Sequence, residues 1–90
     1  MILNPLGLPV DIAADNTVDD ASLVSIINTT AGVVYITVSG ASVGRVGIAA
    51  GERVLVEKDY LATLRANTSS DGTGAVGAGS VLATKVAYAG

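Results

Sequence analysis

The sequence predicts an all-β fold, either a small antiparallel β-sandwich or a partly open barrel of about six strands, preceded by an extended N-terminal arm. Short runs rich in β-branched residues alternate apolar and polar positions, and turn residues separate these runs roughly every ten positions. No stretch keeps a helical period over the roughly 11 to 18 residues that would identify an amphipathic helix. A chain of 90 residues has room for a single hydrophobic core.

The predicted arm covers residues 1–14. Pro5 and Pro9 interrupt this segment and exclude both a regular helix and a central strand. The segment is nevertheless too apolar for a free tail, and its apolar side chains are the candidate interaction residues. These are Ile2, Leu3, Leu6, Leu8, Val10 and Ile12. Two interpretations stay open, an arm that lies over its own domain and an arm that docks on a neighbouring subunit.

Residues 15–90 are predicted to form one β domain, which begins with a polar loop over residues 15–20. The clearest strand is 32–39, where Val34, Ile36 and Val38 fall on one face and the intervening residues on the other. The remaining predicted strands are 22–28, 43–48, 53–58, 61–66 and 81–88. Of these, 61–66 also fits a single helical turn.

Residues 67–80 have a different composition, with four Gly and three Ser. Such a segment is flexible when it is isolated, and it is long for a compact domain. It is interpreted either as a surface hairpin or as a contact loop that becomes ordered only in an assembly.

The composition excludes several classes of functional site. The chain has no His and no Cys, so it has no residues for a zinc finger, a disulfide framework or a His-assisted nucleophile. A net charge of −3 and a pI near 4.4 argue against a nucleic-acid partner, which usually requires a basic surface. We therefore expect no catalytic residue, no cofactor, no metal and no enzymatic activity.

Two patterns that could carry chemistry lack the structural context that the chemistry needs. Asp11, Asp15, Asp19 and Asp20 do not have the spacing or the glycine of a calcium-binding loop, which favours a solvated acidic loop. Residues 72–77 read Gly-x-Gly-x-x-Gly, but no strand precedes them and no helix follows to hold a dinucleotide phosphate.

The charges of residues 52–59 invite comparison with a pair of catalytic carboxylates. Glu57 and Asp59 would project to the same side of an extended strand, but a glycosidase needs a wide cleft, and an aromatic platform for a sugar is missing. We interpret these charges as strand charges that discourage edge-to-edge aggregation.

Hydropathy raises the question of a membrane span, because residues 21–44 carry no charge. Eleven polar or glycine positions and a central turn interrupt the stretch, so no membrane span is expected. The first ten residues lack the Lys or Arg of a secretory signal, which predicts synthesis in a cytoplasm.

Because the chain is 50% apolar and 14% charged, we expect exposed apolar surface and hence a homo-oligomer or a subunit of a larger assembly.

Three segments resemble small β-sandwich virion proteins of tailed bacteriophages, especially phages of cyanobacteria. The run SIINTTAGVVYITV at 25–38 resembles their opening hairpin. The run VGIAAGERVLVEKD at 46–59 is similar to a segment with an apolar turn, Gly-Glu and an apolar strand, and VLATKVAY at 81–88 is similar to their closing strand. The resemblance does not extend to the arm or to residues 67–80.

This resemblance implies a non-enzymatic head-decoration or cement protein of the virion, with the major capsid protein or other virion subunits as partners and without nucleic-acid or membrane contacts. A neck, tail or baseplate component is the alternative within the virion. A carbohydrate- or receptor-binding β-module is the alternative of another class, although three Tyr without Trp or Phe offer little for stacking on sugars. If the arm crosses to a neighbour, deletion of residues 1–14 is expected to abolish particle binding and to leave the sandwich folded.

Overall fold

The computed structural model describes the backbone of residues 2–89 and the side chains of residues 5–87, and within this range it contains strands and no helix. The all-β prediction is confirmed. The strands are β1 (Ile2–Pro5), β2 (Val10–Asp11), β3 (Leu23–Asn28), β4 (Val34–Ser39), β5 (Val43–Ile48), β6 (Arg53–Glu57), β7 (Thr63–Asn67) and β8 (Val81–Ala89). Strands β3 to β8 correspond to the six predicted from sequence, and the two additional strands belong to the arm.

Two antiparallel sheets form the sandwich. Sheet A has the order β1-β8-β3-β6, and β2 also pairs with β8. Sheet B has the order β5-β4-β7. Strand β6 ends sheet A and strand β5 ends sheet B, and each is hydrogen-bonded to a single neighbouring strand. These two end strands lie on the same side of the molecule.

The core lies between the sheets and follows the alternation of the sequence. Val34 and Ile36 of β4 face Val24 and Ile26 of β3 across the sandwich, and all four are buried. Among the residues whose side chains the structure describes, the buried cluster of the core consists of Ile12, Val18, Ala21, Val24, Ile26, Val34, Ile36, Ile48, Leu64, Ala66, Val81 and Ala83. Its small aliphatic residues let the two sheets pack closely without aromatic side chains.

The arm lies along its own domain, on the edge of β8 opposite β3. Ile2 pairs with Ala89 and Pro5 with Val86, and farther along the chain Val10 pairs with Ala83. The register changes by two positions between these pairs, so residues 6–9 bulge out from the edge of the sheet. Two prolines fit this position because an edge strand does not need every backbone N–H for the ladder.

Beyond β2 the chain crosses from sheet A to sheet B. Ile12 is buried in the core, and its carbonyl accepts a hydrogen bond from Ala66 N at 2.8 Å. Deletion of residues 1–14 would remove this core side chain together with an edge strand. In contrast to the expectation from the sequence, we therefore predict that this deletion destabilises the sandwich.

The loop at residues 18–20 has an unusual backbone. Val18, Asp19 and Asp20 have φ angles of 55°, 56° and 54°, in the left-handed region that L-residues rarely occupy in succession. Val18 is fully buried, and its N–H donates to Asn16 Oδ1 at 2.7 Å. Burial of this side chain and the hydrogen bond from its backbone hold the turn in place.

Residues 2–89 contain no helix with the length and apolar character that crossing a membrane requires.

Candidate interaction surface

The surface of sheet A that faces away from the core is the main candidate site, and we call it the outer face. Because Val24 and Ile26 of β3 point into the core, the alternate residues of β3 point outward together with their register partners on β8 and β6. The outer face consists of Leu23, Ser25, Ile27, Leu82, Thr84, Val86, Arg53, Leu55 and Glu57.

The outer face is more apolar and less exposed than the solvent side of a typical antiparallel sheet. Leu23 is 8% exposed, Val86 6% and Ser25 2%. Arg53 lies over part of this face, and its Nη1 donates to Ser25 Oγ at 2.7 Å. The hydrogen bond satisfies a buried hydroxyl that would otherwise be unpaired.

Two adjoining grooves run over the outer face. One has a volume of 510 Å³ and is lined by Leu23, Val86, Glu57 and Lys58, among others. The other, of 340 Å³, lies between Val86 and the bulge of the arm. Val86 lines both, so the grooves connect the outer face to the arm.

The six candidate residues of the arm separate into three pairs. Ile12 is buried in the core and Val10 is half-buried against it. Leu6 and Leu8 lie in the bulge and are 51% and 81% exposed. The side chains of Ile2 and Leu3 lie outside the described residues. Of the candidate residues whose side chains the structure describes, Leu6 and Leu8 are therefore the ones exposed to a partner.

Charged groups lie at one end of the larger groove. Burial lowers the pKa of Lys58, and the nearby carboxylates of Asp20 and Asp59 partly oppose this effect. Lys58 Nζ also donates to the backbone carbonyl of Asp59 at 3.3 Å. Together with the exposed Glu57, this ammonium group places charges beside apolar surface, as in the polar rim of a protein interface.

Two acidic residues of the N-terminal region, Asp11 and Asp19, accept hydrogen bonds. Asp11 Oδ1 accepts a hydrogen bond from Ala13 N at 3.0 Å, and the backbone carbonyl of Asp19 accepts one from Lys85 Nζ at 3.3 Å. Across the described chain, no three acidic side chains converge as metal ligands.

The glycine-rich segment folds back as a hairpin against sheet B. Thr68 N donates to Gly74 O and Ser69 N to Thr73 O, and the φ angle of Gly72 is +83° in the turn between them. Arg45 Nη1 reaches the carbonyl of Ser70 at 3.4 Å. The Gly-x-Gly-x-x-Gly pattern therefore contributes a reversal of the chain, and strand β8 follows it where a dinucleotide site has a helix.

Sequence reasoning missed the outer face. The available signal was β3, where Leu23 and Ile27 are apolar in addition to the core residues Val24 and Ile26. A strand that is apolar on both faces is typical of one covered on both sides.

Comparisons with protein-family models, with curated proteins and with solved structures found no match to this chain.

Proposed function

We propose that this chain is a non-enzymatic structural protein of a bacteriophage virion, where it decorates the head shell as a cement protein. Two lines of support come from the chain itself. Segments 25–38, 46–59 and 81–88 resemble small β-sandwich virion proteins, and an all-β sandwich is the fold that this resemblance implies. The observation that carries the proposal is the exposure of Leu6 and Leu8 beside the grooved outer face.

The bulge that carries these leucines is suited to contact with another protein. Pro5 and Pro9 flank it and restrict its backbone, so little conformational entropy is lost when a partner orders it. Burial of a leucine side chain is worth about 1.5–3 kcal/mol. Two leucines projecting from a rigid edge therefore provide a compact apolar anchor for a depression between capsid subunits.

Stabilisation of the shell follows from where such an anchor binds. A protein that contacts two capsid subunits at once adds interface area that must be broken before the subunits separate under the pressure of packaged DNA. Glu57 and Lys58, at the rim of the larger groove, set the orientation and specificity of the contact. The net charge of −3 disfavours contact with DNA, which is consistent with a position on the outside of the shell.

Quantitative mass spectrometry of purified particles tests the proposal through the ratio of this chain to the major shell protein. A ratio near one is expected for head decoration. A few to a few dozen copies per particle would overturn the decoration role in favour of a neck, tail or baseplate component. Absence from washed particles would overturn the virion role altogether.

A further inference from the structure

We infer that two copies of this chain associate edge to edge through β6, in one antiparallel register centred on Leu55. The inference requires only a second copy of the chain and does not depend on the proposed role in a virion. Its basis is a pattern of backbone groups and charges on the free edge of sheet A.

The backbone of β6 has unused hydrogen-bonding groups on this edge. Lys58 N donates to Ser22 O at 2.9 Å, and Asn28 N donates to Glu52 O at 3.0 Å. The even-numbered residues of β6 therefore direct their backbone groups toward β3. Because the backbone N–H and C=O groups of successive residues point to opposite sides of a strand, those of Arg53, Leu55 and Glu57 point away from β3. No strand among residues 2–89 pairs with that side of β6.

One two-fold register uses all of these groups. When Leu55 lies opposite Leu55 of the second copy, Arg53 lies opposite Glu57 of the second copy. Each of these is a hydrogen-bonded position, in which two residues exchange both backbone bonds. Sheet A of one copy then continues into sheet A of the other.

The same register pairs opposite charges. Arg53 and Glu57 point to the outer face of the joined sheet, and each meets the opposite charge across the two-fold axis. Beyond them, Glu52 comes opposite Lys58 of the second copy. A slip of two residues places Leu55 opposite Arg53 or Glu57 and separates these ion pairs, although in one direction Arg53 then comes opposite Asp59 of the second copy. A slip of one residue also turns every side chain to the wrong face.

Apolar residues on the inner side favour the same arrangement. Val54 and Val56 are half-buried at the open side of the sandwich. In the proposed register, Val54 of each copy lies opposite Val56 of the other. Val46 of β5 is 41% exposed although its register partner Ile36 points into the core. A second copy beside β6 covers apolar side chains that one copy leaves partly exposed.

The free edge on the same side of the molecule, β5, lacks this complementarity. A two-fold register centred on Arg45 brings two arginines together, and Gly44 and Gly47 weaken the strand for pairing. The charges of β6, which the sequence indicated as protection against edge pairing, form the largest number of opposite-charge pairs in the register centred on Leu55. Arg53 has five N–H groups, so its hydrogen bond to Ser25 leaves donors for a carboxylate of the second copy.

Charge reversal with heterodimer rescue tests the inference on the full chain. Sedimentation velocity of the wild type is expected to show a dimer at about 100 μM, which corresponds to a Kd in the micromolar range. Glu57→Arg places two arginines opposite each other, and Arg53→Glu places two glutamates together, so each variant alone is expected to be monomeric. An equimolar mixture restores opposite charges at both positions and is expected to sediment as a heterodimer.

Controls separate loss of association from loss of fold. Arg45→Glu, on the β5 edge, is expected to remain dimeric, and circular dichroism is expected to show the same strand content for every variant. If Arg53→Glu unfolds because Ser25 loses its partner, the sedimentation of Glu57→Arg is compared with that of the isosteric Glu57→Gln. This comparison decides whether the charge at position 57 controls association. A monomeric wild type, a dimeric Glu57→Arg variant, or two folded variants that stay apart on mixing would each overturn the inference.

Discussion

Asn16 and Leu64 exchange two backbone hydrogen bonds, from Asn16 N to Leu64 O at 3.1 Å and from Leu64 N to Asn16 O at 2.8 Å. Val10, shortly before Asn16 in the chain, pairs instead with Ala83 of β8. The chain therefore leaves the edge of sheet A and reaches the edge of sheet B over a few residues. This crossing closes one side of the sandwich and leaves β5 and β6 as free edges on the other.

The crossing makes the arm part of the core. Ile12→Ala is expected to lower the free energy of unfolding by about 2–4 kcal/mol, because it opens a cavity at a fully buried position. Leu6→Ala, at a half-exposed position of the same arm, is expected to change it by less than about 0.5 kcal/mol. Urea denaturation of both variants measures the difference, and equal effects would contradict a structural role for the arm.

The bulge is expected to contribute to particle binding without contributing to the fold. Leu8→Ser is expected to weaken binding to capsid particles by roughly tenfold or more, because a side chain worth about 1.5–3 kcal/mol on burial is lost. Leu61→Ser is the matched control, since Leu61 is also an exposed leucine but lies in the turn between β6 and β7. Co-sedimentation of the purified variants with undecorated particles provides the measurement. Equal binding by both variants would remove the bulge from the proposed interface.

Asn28 joins three segments through its buried side chain. Its Nδ2 donates to the carbonyls of Gly32, Ile48 and Ala49 at 2.8, 3.0 and 3.2 Å. Asn28→Asp replaces this donor by an oxygen that faces carbonyl oxygens, and we expect a loss of about 3 kcal/mol or more of unfolding free energy at pH 7.

The matched control is Asn16→Asp. Asn16 accepts a hydrogen bond through Oδ1, and a carboxylate keeps that acceptor, so a change of less than about 1 kcal/mol is expected. Burial beside carbonyl oxygens raises the pKa of the new carboxyl group in the folded state, so the deficit of Asn28→Asp is expected to shrink as the pH falls from 7 toward about 4, where the protonated group regains a donor. Denaturant titrations at pH 7 and pH 3.5 measure both effects, and similar losses for the two variants would contradict the role assigned to Asn28.

The left-handed loop offers a site where a substitution should stabilise the protein. Asp19 is exposed and has a φ angle of 56°, which glycine adopts without a steric cost. Asp19→Gly is expected to raise the unfolding free energy by about 0.5 kcal/mol and the Tm by roughly 2–4 °C. Asp15→Gly removes the same charge outside the left-handed run and is expected to give no gain. Differential scanning calorimetry compares the two, and a lower Tm for Asp19→Gly would refute the strain at this position.

Local patterns predicted most strands correctly. The alternation of Val34, Ile36 and Val38 identified β4 and its buried face, and glycine-containing turns identified the ends of its neighbours. Residues 61–66 were ambiguous because the run is short; the structure has strand β7 at Thr63–Asn67 and places Leu61 in the preceding turn. The prolines hid β1 and β2, since the rule that excludes proline from a central strand says nothing about a strand at an edge.

The sequence by itself determined the fold class, the boundaries of the main strands and which of their residues face the core, because these follow from periodicity among adjacent residues. Only the tertiary structure decided which strands pair and that the arm lies on its own β8. Val10 and Ala83, for example, lie at opposite ends of the chain, and their pairing depends on closing a long loop and burying Ile12. Only the tertiary structure decided the outer face as well. Whether a residue outside the core faces solvent or forms part of an interface depends on which other residues the fold places beside it.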